Sequence, residues 1–286
     1  MQPIGGELKR IMFIFLIMAI AGLNALTFDE VKNSPQYLYG YAKSSSYEKA
    51  NNIALNELIS QISVNVQSSY SNVVLEDGQS LKEVSELIVK TYSSTSLNNV
   101  EKIEEELADG SIQVMRYINK DEINNIFINR RNLVFDLMED ALKAEKDVRI
   151  GDALKYYYWS LMLLKTIPDS DKIEKTIPDE SVKRLDLLIP RRIENLINHI
   201  KLVKKSINQD NDSKIASIEF TASYEGQLID SFIYKYRTGS YWSQNIKLND
   251  GLGLIETDKE NMSVIKQIPI IIEYKNFEQS KCIDAV

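Results

Sequence analysis

The sequence predicts an α+β protein with three parts: a small α/β domain at residues 26–120, a helical region at 121–208 and an antiparallel β-sandwich-like module at 214–286. Three observations predict this division. Apolar residues recur at three- and four-residue spacing in the middle of the chain, whereas they alternate with polar residues near its C-terminal end. At 286 residues the chain also exceeds the usual size of a single domain.

The first 25 residues have the pattern of a secretory signal peptide. Lys9 and Arg10 precede an apolar run that ends near Ala25, and the run is short for a membrane span. Leu23 is a less usual residue than alanine so close to a cleavage site, so an uncleaved anchor remains an alternative. Cys282 is the only cysteine, so no cysteine near the cleavage site offers a lipid attachment point. We therefore expect an exported protein, either periplasmic or associated with the outer membrane.

The α/β domain begins with a predicted strand, Tyr37–Ala42, in which Gly40 indicates close backbone packing. A capping-box spacing at Ser45 and Glu48 predicts the start of a helix. The same spacing recurs at Ser80 and Glu83. The apolar face of the first of these helices is predicted to comprise Ala50, Ile53, Ala54, Leu58, Ile59 and Ile62. Alternation then predicts a strand containing Ile62, Val64 and Val66, and a hairpin turn is predicted at Asp109–Gly110.

This order of strand, glycine, serine, helix and strand resembles the LPP-twenty lipoprotein family and related flagellar T-ring-type domains. The residues that carry the resemblance are Gly40, Ser45, Ala50, Ala54, Leu58, Ile62 and Val64. It covers about a third of the chain, and its combination with a helical hairpin is similar to that in exported proteins of Bacteroidales-type bacteria. The resemblance implies a compact, non-catalytic envelope domain. The absence of a lipid-bearing cysteine departs from the family and argues against direct membrane anchoring.

The helical region is predicted to contain a hairpin of two helices. The first runs from Asp121 to about Lys146, and the second follows a turn at Gly151, is capped by Asp152 and ends by Pro168. The small residues predicted at the crossing are Ala141, Ala144, Ala153 and Ser160. They resemble one tetratricopeptide-type hairpin, but no second copy is found, so a repeat-array groove is not predicted.

A third helix is predicted from Ser181 to about Ile207, with an interruption at Pro190. Its stripe comprises Ile193, Leu196, Ile197, Ile200, Val203 and Ile207, and the basic residues around it are Arg191, Arg192, Lys201, Lys204 and Lys205. The β module follows a polar linker. Its predicted turns are Glu225–Gly226, Thr238–Gly239 and Asn249–Gly251, a spacing typical of a small antiparallel sandwich. A last strand is predicted around Ile270, with Pro269 at a sheet edge.

Composition excludes several classes of function. A net charge of −7 argues against nucleic-acid binding. One histidine, His199, and one cysteine cannot build an ordinary zinc or copper site, and no cofactor is expected. No serine-hydrolase elbow, P-loop or dinucleotide motif is present. The stretch from Asp210 begins like a calcium loop, but Lys214 stands where a ligand belongs. A pair of catalytic carboxylates has no sequence signature, so a glycoside hydrolase remains open.

Two groups of residues are candidates for binding. Tyr241 and Trp242 follow a hairpin turn and are candidates for a sugar or peptide platform, with a core position as the alternative for Trp242. Arg191 and Arg192 are candidates for contact with anionic lipid or with an acidic partner, and the solvated side of a helix is the alternative. The sequence predicts a non-catalytic cell-envelope scaffold or assembly factor with envelope proteins as partners. A glycan- or peptide-binding module is the alternative.

Overall fold

The computed structural model describes residues 26–68, 99–177, 180–209, 214–260 and 267–276. The protein is mixed α/β with antiparallel sheets, as predicted at the level of fold class. It divides into two compact units, of which unit 1 comprises Met1–Gln61 with Asn99–Asp121 and unit 2 comprises Ile62–Asn98 with Glu122–Val286. The predicted signal peptide, the capping spacing at Ser80 and the calcium-like loop at Asp210 lie outside the described residues.

Unit 1 contains a three-stranded antiparallel sheet in the order β1-β3-β2. Its elements are α1 (Phe28–Asn33), β1 (Tyr37–Ser44), α2 (Tyr47–Ser68, which begins in this unit), β2 (Glu101–Glu106) and β3 (Ile112–Asn119). The predicted strand at Tyr37 and the turn at Asp109–Gly110 are confirmed. Gly110 has a φ of 75°, and the Asp109 carboxylate accepts a hydrogen bond from the Ser111 backbone N–H at 2.9 Å. This turn joins β2 to β3.

Gly40 allows α2 to cross β1 at very short range. A Cβ atom at this position would lie 1.9 Å from the Ala54 carbonyl oxygen and 2.5 Å from the Leu58 backbone nitrogen. The prediction of close packing at Gly40 is therefore confirmed. On the opposite face of the sheet, the fully buried Val31 of α1 packs with aromatic residues. Among the described residues, the sheet of unit 1 thus has one helix on each face.

The predictions for α2 need three corrections. The capping serine is Ser46, whose hydroxyl accepts from the Lys49 backbone N–H at 3.4 Å, rather than Ser45. Ile53 is 44% exposed, although it was expected on the buried face. The strand predicted around Val64 is wrong, because the helix continues to Ser68. Helical spacing accounts for the pattern there, since Leu58 and Ile62, one turn apart, are both fully buried while Val64 is exposed.

Unit 2 contains the predicted helical hairpin, whose two helices are confirmed as α3 (Lys120–Lys146, which begins in unit 1) and α4 (Ile150–Leu164). All four small residues predicted at the crossing are fully buried: Ala141, Ala144, Ala153 and Ser160. The Ser160 hydroxyl donates to the Val134 carbonyl oxygen at 3.1 Å, which satisfies it inside the core. This bond links the two helices directly, and buried side chains of both helices belong to one core.

The expected roles of Gly151 and Asp152 in the turn are wrong. Gly151 is part of α4, and a Cβ atom there would lie 2.4 Å from the Ser231 carbonyl oxygen. The glycine therefore permits close packing of a helix on a strand. Asp152 lies inside the first turn of the helix and accepts hydrogen bonds from Arg149 at 2.7 Å and Lys155 at 2.9 Å. Burial alone would raise the pKa of Asp152, but these two cations outweigh burial and lower it.

The third helix is shorter than predicted at both ends. The residues before it form a hairpin of β4 (Glu174–Ile177) and β5 (Glu180–Arg184), and α5 (Leu185–His199) continues through Pro190. Strand β6 (Ile200–Gln209) follows α5 directly. A bulge between Lys204 and Ser206 interrupts the two-residue alternation of β6. Because the bulge adds one residue to the strand, Ile207 follows Val203 by four residues, and this spacing resembles that of a helical stripe.

The β region of unit 2 forms a curled, half-barrel sheet in the order β12-β9-β10-β11-β7-β6. Its further strands are β7 (Ile215–Tyr224), β8 (Gln227–Leu228, paired with β7), β9 (Ser231–Tyr236), β10 (Ile246–Asn249), β11 (Leu252–Asp258) and β12 (Ile270–Glu273). The alternation predicted for β7 and the turns at Gly226 and Gly251 are confirmed. The two stacked sheets of a sandwich are not found in the described residues, because side chains of α3, α4 and α5 share the core with the concave face.

Candidate functional site

The predicted platform at Tyr241 and Trp242 lies on the loop between β9 and β10. Tyr241 is 88% exposed and Trp242 is 38% exposed, so the expected alternative of a core position for Trp242 is wrong. The Arg237 guanidinium lies 5.3 Å and the Lys235 ammonium nitrogen 5.8 Å from the centroid of the Trp242 ring. Lys235 also pairs with Glu273 at 2.5 Å. The loop therefore presents one free aromatic ring and one that is partly covered by cations.

The two predicted arginines lie elsewhere, on α5. Arg191 is exposed, whereas Arg192 lies 3.4 Å from a Glu145 carboxylate oxygen. Glu145 also accepts a hydrogen bond from the hydroxyl group of the fully buried Tyr157 at 2.7 Å. Arg192 thus belongs to a network that joins α3, α4 and α5. The four predicted residues thus lie on two elements, Tyr241 and Trp242 on the loop between β9 and β10 and Arg191 and Arg192 on α5.

His199 ends α5 and lies beside the sheet. Its Nδ1 atom is 2.8 Å from the Asn195 carbonyl oxygen, and its ring makes an edge contact with Tyr224 at 6.5 Å between centroids. Within the described ranges, no group of three or more histidine, cysteine, aspartate or glutamate residues is placed to hold a metal ion. In that same part of the chain, no helix is both long and apolar enough to cross a membrane.

Unit 2 has a groove between the two end strands of the curled sheet. Among the described residues, β6 pairs with β7 alone and β12 pairs with β9 alone. Each strand therefore has one edge whose backbone N–H and C=O groups face no neighbouring strand there. Both strands line the same two cavities, of about 390 and 520 Å³, which share Leu202 and Ile270. We call this feature the β6–β12 groove.

The walls and floor of the β6–β12 groove are mainly apolar. Leu202 pairs with Ala222 in the sheet register, and Ile207 pairs with Ile218, so both side chains lie on the concave face. They are nevertheless 40% and 45% exposed, because the groove is open. The other apolar lining residues include Ile218, Phe220, Ile255, Ile268 and Ile270. Exposed aliphatic side chains in a concave position are typical of a binding surface.

A third cavity of about 280 Å³ continues the β6–β12 groove towards α4 and α5. It shares Ile197 and Tyr274 with the second cavity, and Tyr158 and Pro190 complete its aromatic and aliphatic wall. The rings of Tyr158 and Tyr274 meet edge to face at 5.8 Å between centroids. Burial raises the pKa of Tyr274, which keeps its hydroxyl group neutral. The end of the groove is therefore a largely apolar pocket, with Glu194 and Lys275 also in its lining, of a size that holds one large apolar side chain.

The sequence alone did not reveal this groove. Its two walls are about 60 residues apart in the chain, and the sheet order alone brings them together. Residues of β6 were also expected in a helix, which concealed the free strand edge. A scan against protein-family models found no match for this chain, and searches of curated proteins and of solved structures found none either.

Proposed function

We propose that the protein is a non-catalytic interaction module of the cell envelope, and that unit 2 binds an extended segment of a partner protein in the β6–β12 groove. The observation that supports this proposal is the pair of free strand edges with an apolar channel between them. A strand placed in the channel would form backbone hydrogen bonds with an edge, and its alternate side chains would enter the apolar lining. The pocket beside Tyr158 would receive a large side chain at one end.

The location in the cell envelope is supported by the sequence. The N-terminal pattern is that of a signal peptide, and the resemblance to the LPP-twenty family implies an envelope domain. We place the protein in the periplasm or on the outer membrane, with envelope proteins as partners. The hairpin of α3 and α4 retains its tetratricopeptide-like character in this proposal, but it acts as packing support for the groove.

The test is a selection of extended peptides from a random display library, followed by affinity measurement on the purified protein. Leu202→Ser alters the concave face of β6, and Val203→Ser alters the opposite face of the same strand at a residue that is 58% exposed. We expect the selected peptides to bind the wild type and Val203→Ser, and to lose about tenfold or more in affinity for Leu202→Ser. Circular dichroism checks that both variants fold.

Two results would contradict this function. The first is a selection that yields no extended peptide with measurable affinity. The second is equal binding to Leu202→Ser and Val203→Ser, since these two side chains lie on opposite faces of β6. A glycan-binding function is a second candidate, favoured by the 88% exposure of Tyr241 beside Trp242. A glycan array probed with the wild type and with Trp242→Ala tests it, because that loop contributes nothing to the lining of the groove.

A further inference from the structure

We infer that the segment bound in the β6–β12 groove is acidic, and that the lysines of β6 select it while they keep two copies of this chain from pairing edge to edge. This inference rests on the proposed function and specifies its partner. Strand β6 contains three lysines and no acidic residue, in a chain whose net charge is −7. A free strand edge with this charge is a local exception on an acidic protein.

The three lysines occupy different positions around the edge. Lys204 pairs with Phe220 in the register, so it lies on the concave face, and its side chain lines the groove. Lys201 pairs with Ser223 and lies on the opposite face. Lys205 lies in the bulge between Lys204 and Ser206. All three are exposed, and none of them forms an ion pair with another described residue.

The position of Lys204 determines which side chain of a bound segment its ammonium group would contact. A segment paired with the free edge of β6 would lie about 4.8 Å from that strand, which is within reach of a lysine side chain. An acidic side chain on the concave face of the bound segment would therefore meet the ammonium group across the strand pair. One such pair of opposite charges contributes up to about fivefold in affinity. A basic side chain at the same place is disfavoured to a similar degree.

The same charges act against self-association. If two copies of β6 paired edge to edge, six lysines would gather along one ladder, and like charges on paired strands are destabilising. An acidic strand paired with the same edge would instead be attracted by these lysines. The lysines thus combine repulsion of an identical edge with attraction of the intended partner, which is how specificity is commonly achieved.

The experiment uses three blocked peptides of about nine residues in which isoleucine alternates with serine and the central isoleucine is replaced by glutamate, glutamine or lysine, so that the variable residue lies on the same face as the isoleucines and can meet Lys204. Fluorescence polarisation measures their affinity for the wild type, for Lys204→Glu and for Lys247→Glu. Lys247 is an exposed lysine of the inner strand β10, so its substitution makes the same change in net charge away from the groove. We expect the wild type and Lys247→Glu to prefer the glutamate peptide over the lysine peptide by about fivefold or more, and Lys204→Glu to reverse that order.

The outcomes separate this inference from the function on which it rests. If the wild type binds the three peptides with equal affinity and Lys204→Glu changes none of these affinities, the acidic preference is overturned and the groove's function stands. If none of the three binds, both are overturned. Sedimentation velocity tests the second role, since replacing Lys201, Lys204 and Lys205 together by glutamine should increase self-association. A triple variant that remains as monodisperse as the wild type overturns the repulsive role.

Discussion

The Tyr234 hydroxyl group binds both backbone groups of one residue on another strand, Leu254. It donates to the Leu254 carbonyl oxygen at 2.7 Å and accepts from the Leu254 N–H at 2.8 Å. Tyr236 makes the same pair of bonds with Glu256, at 3.1 and 2.7 Å. Strand β11 pairs with β10 only at the turn that joins them. Two tyrosine side chains of β9 thus take the positions that a neighbouring strand would otherwise fill, and they hold the curl of the sheet.

Tyr234→Phe should lower the free energy of unfolding by about 1–3 kcal/mol without changing the fold. The loss arises because the ring remains but the Leu254 N–H and C=O groups lose their partner in a partly buried place. Urea denaturation measures it as a lower midpoint with an unchanged slope. Tyr241→Phe is the matched control, because Tyr241 is 88% exposed and should tolerate the change. Equal midpoints for the two variants would show that water replaces the hydroxyl group at no cost.

Gly40→Ala should destabilise unit 1 by about 3 kcal/mol, the upper end of the usual cost of overpacking. The added methyl group would lie 1.9 Å from a backbone carbonyl oxygen of α2, so relief requires movement of the helix rather than of a side chain. Thermal denaturation measures the effect. Gly239→Ala is the control, since a Cβ atom there meets nothing within 4 Å. A Gly40→Ala protein as stable as this control would disprove the close crossing.

The sequence predicts some of these features well because they depend on local spacing. The long apolar stripe of α3 and the Asp109–Gly110 turn each specify their structure within a few residues. Strand β6 was missed because its bulge gives Ile207 a spacing close to that of a helix. The sandwich was missed because helices and not a second sheet share the core with the curled sheet. The β6–β12 groove depends on the strand order, which no local pattern determines.

The two tryptophans should differ in their importance for stability. Trp242→Ala should cost about 1 kcal/mol or less, because the ring lies on the surface against Arg237, and such a cation–π contact is worth about 0.5–1 kcal/mol. Trp159→Ala should cost roughly 2 kcal/mol, since its ring is partly buried and its indole N–H donates to the Asn276 carbonyl oxygen at 2.8 Å. Chemical denaturation of both variants checks the order. A larger loss for Trp242→Ala would contradict its surface position.

Tyr157 connects the stability of unit 2 to alkaline pH. Its side chain is fully buried, and its hydroxyl group donates to Glu145, which also lies 3.4 Å from Arg192. Burial, followed by the negative charge of Glu145, raises the pKa of Tyr157 well above its ordinary value of 10.0. The unfolded chain therefore loses this proton at a lower pH than the folded chain does. The contribution to stability is complete below about pH 10 and is lost as the pH rises towards the folded-state pKa.

Tyr157→Phe should lower the free energy of unfolding at neutral pH by about 1.5–3 kcal/mol, because a hydrogen bond to a charged group is lost. Above about pH 10 the wild type should lose stability more steeply than the variant, by up to about 1.4 kcal/mol per pH unit for this one group. The difference between the two proteins should therefore shrink as the pH rises. Urea denaturation at a series of pH values measures both curves. Parallel curves over the alkaline range would show that Tyr157 titrates alike in the folded and unfolded chains, and would exclude it as a source of the alkaline sensitivity.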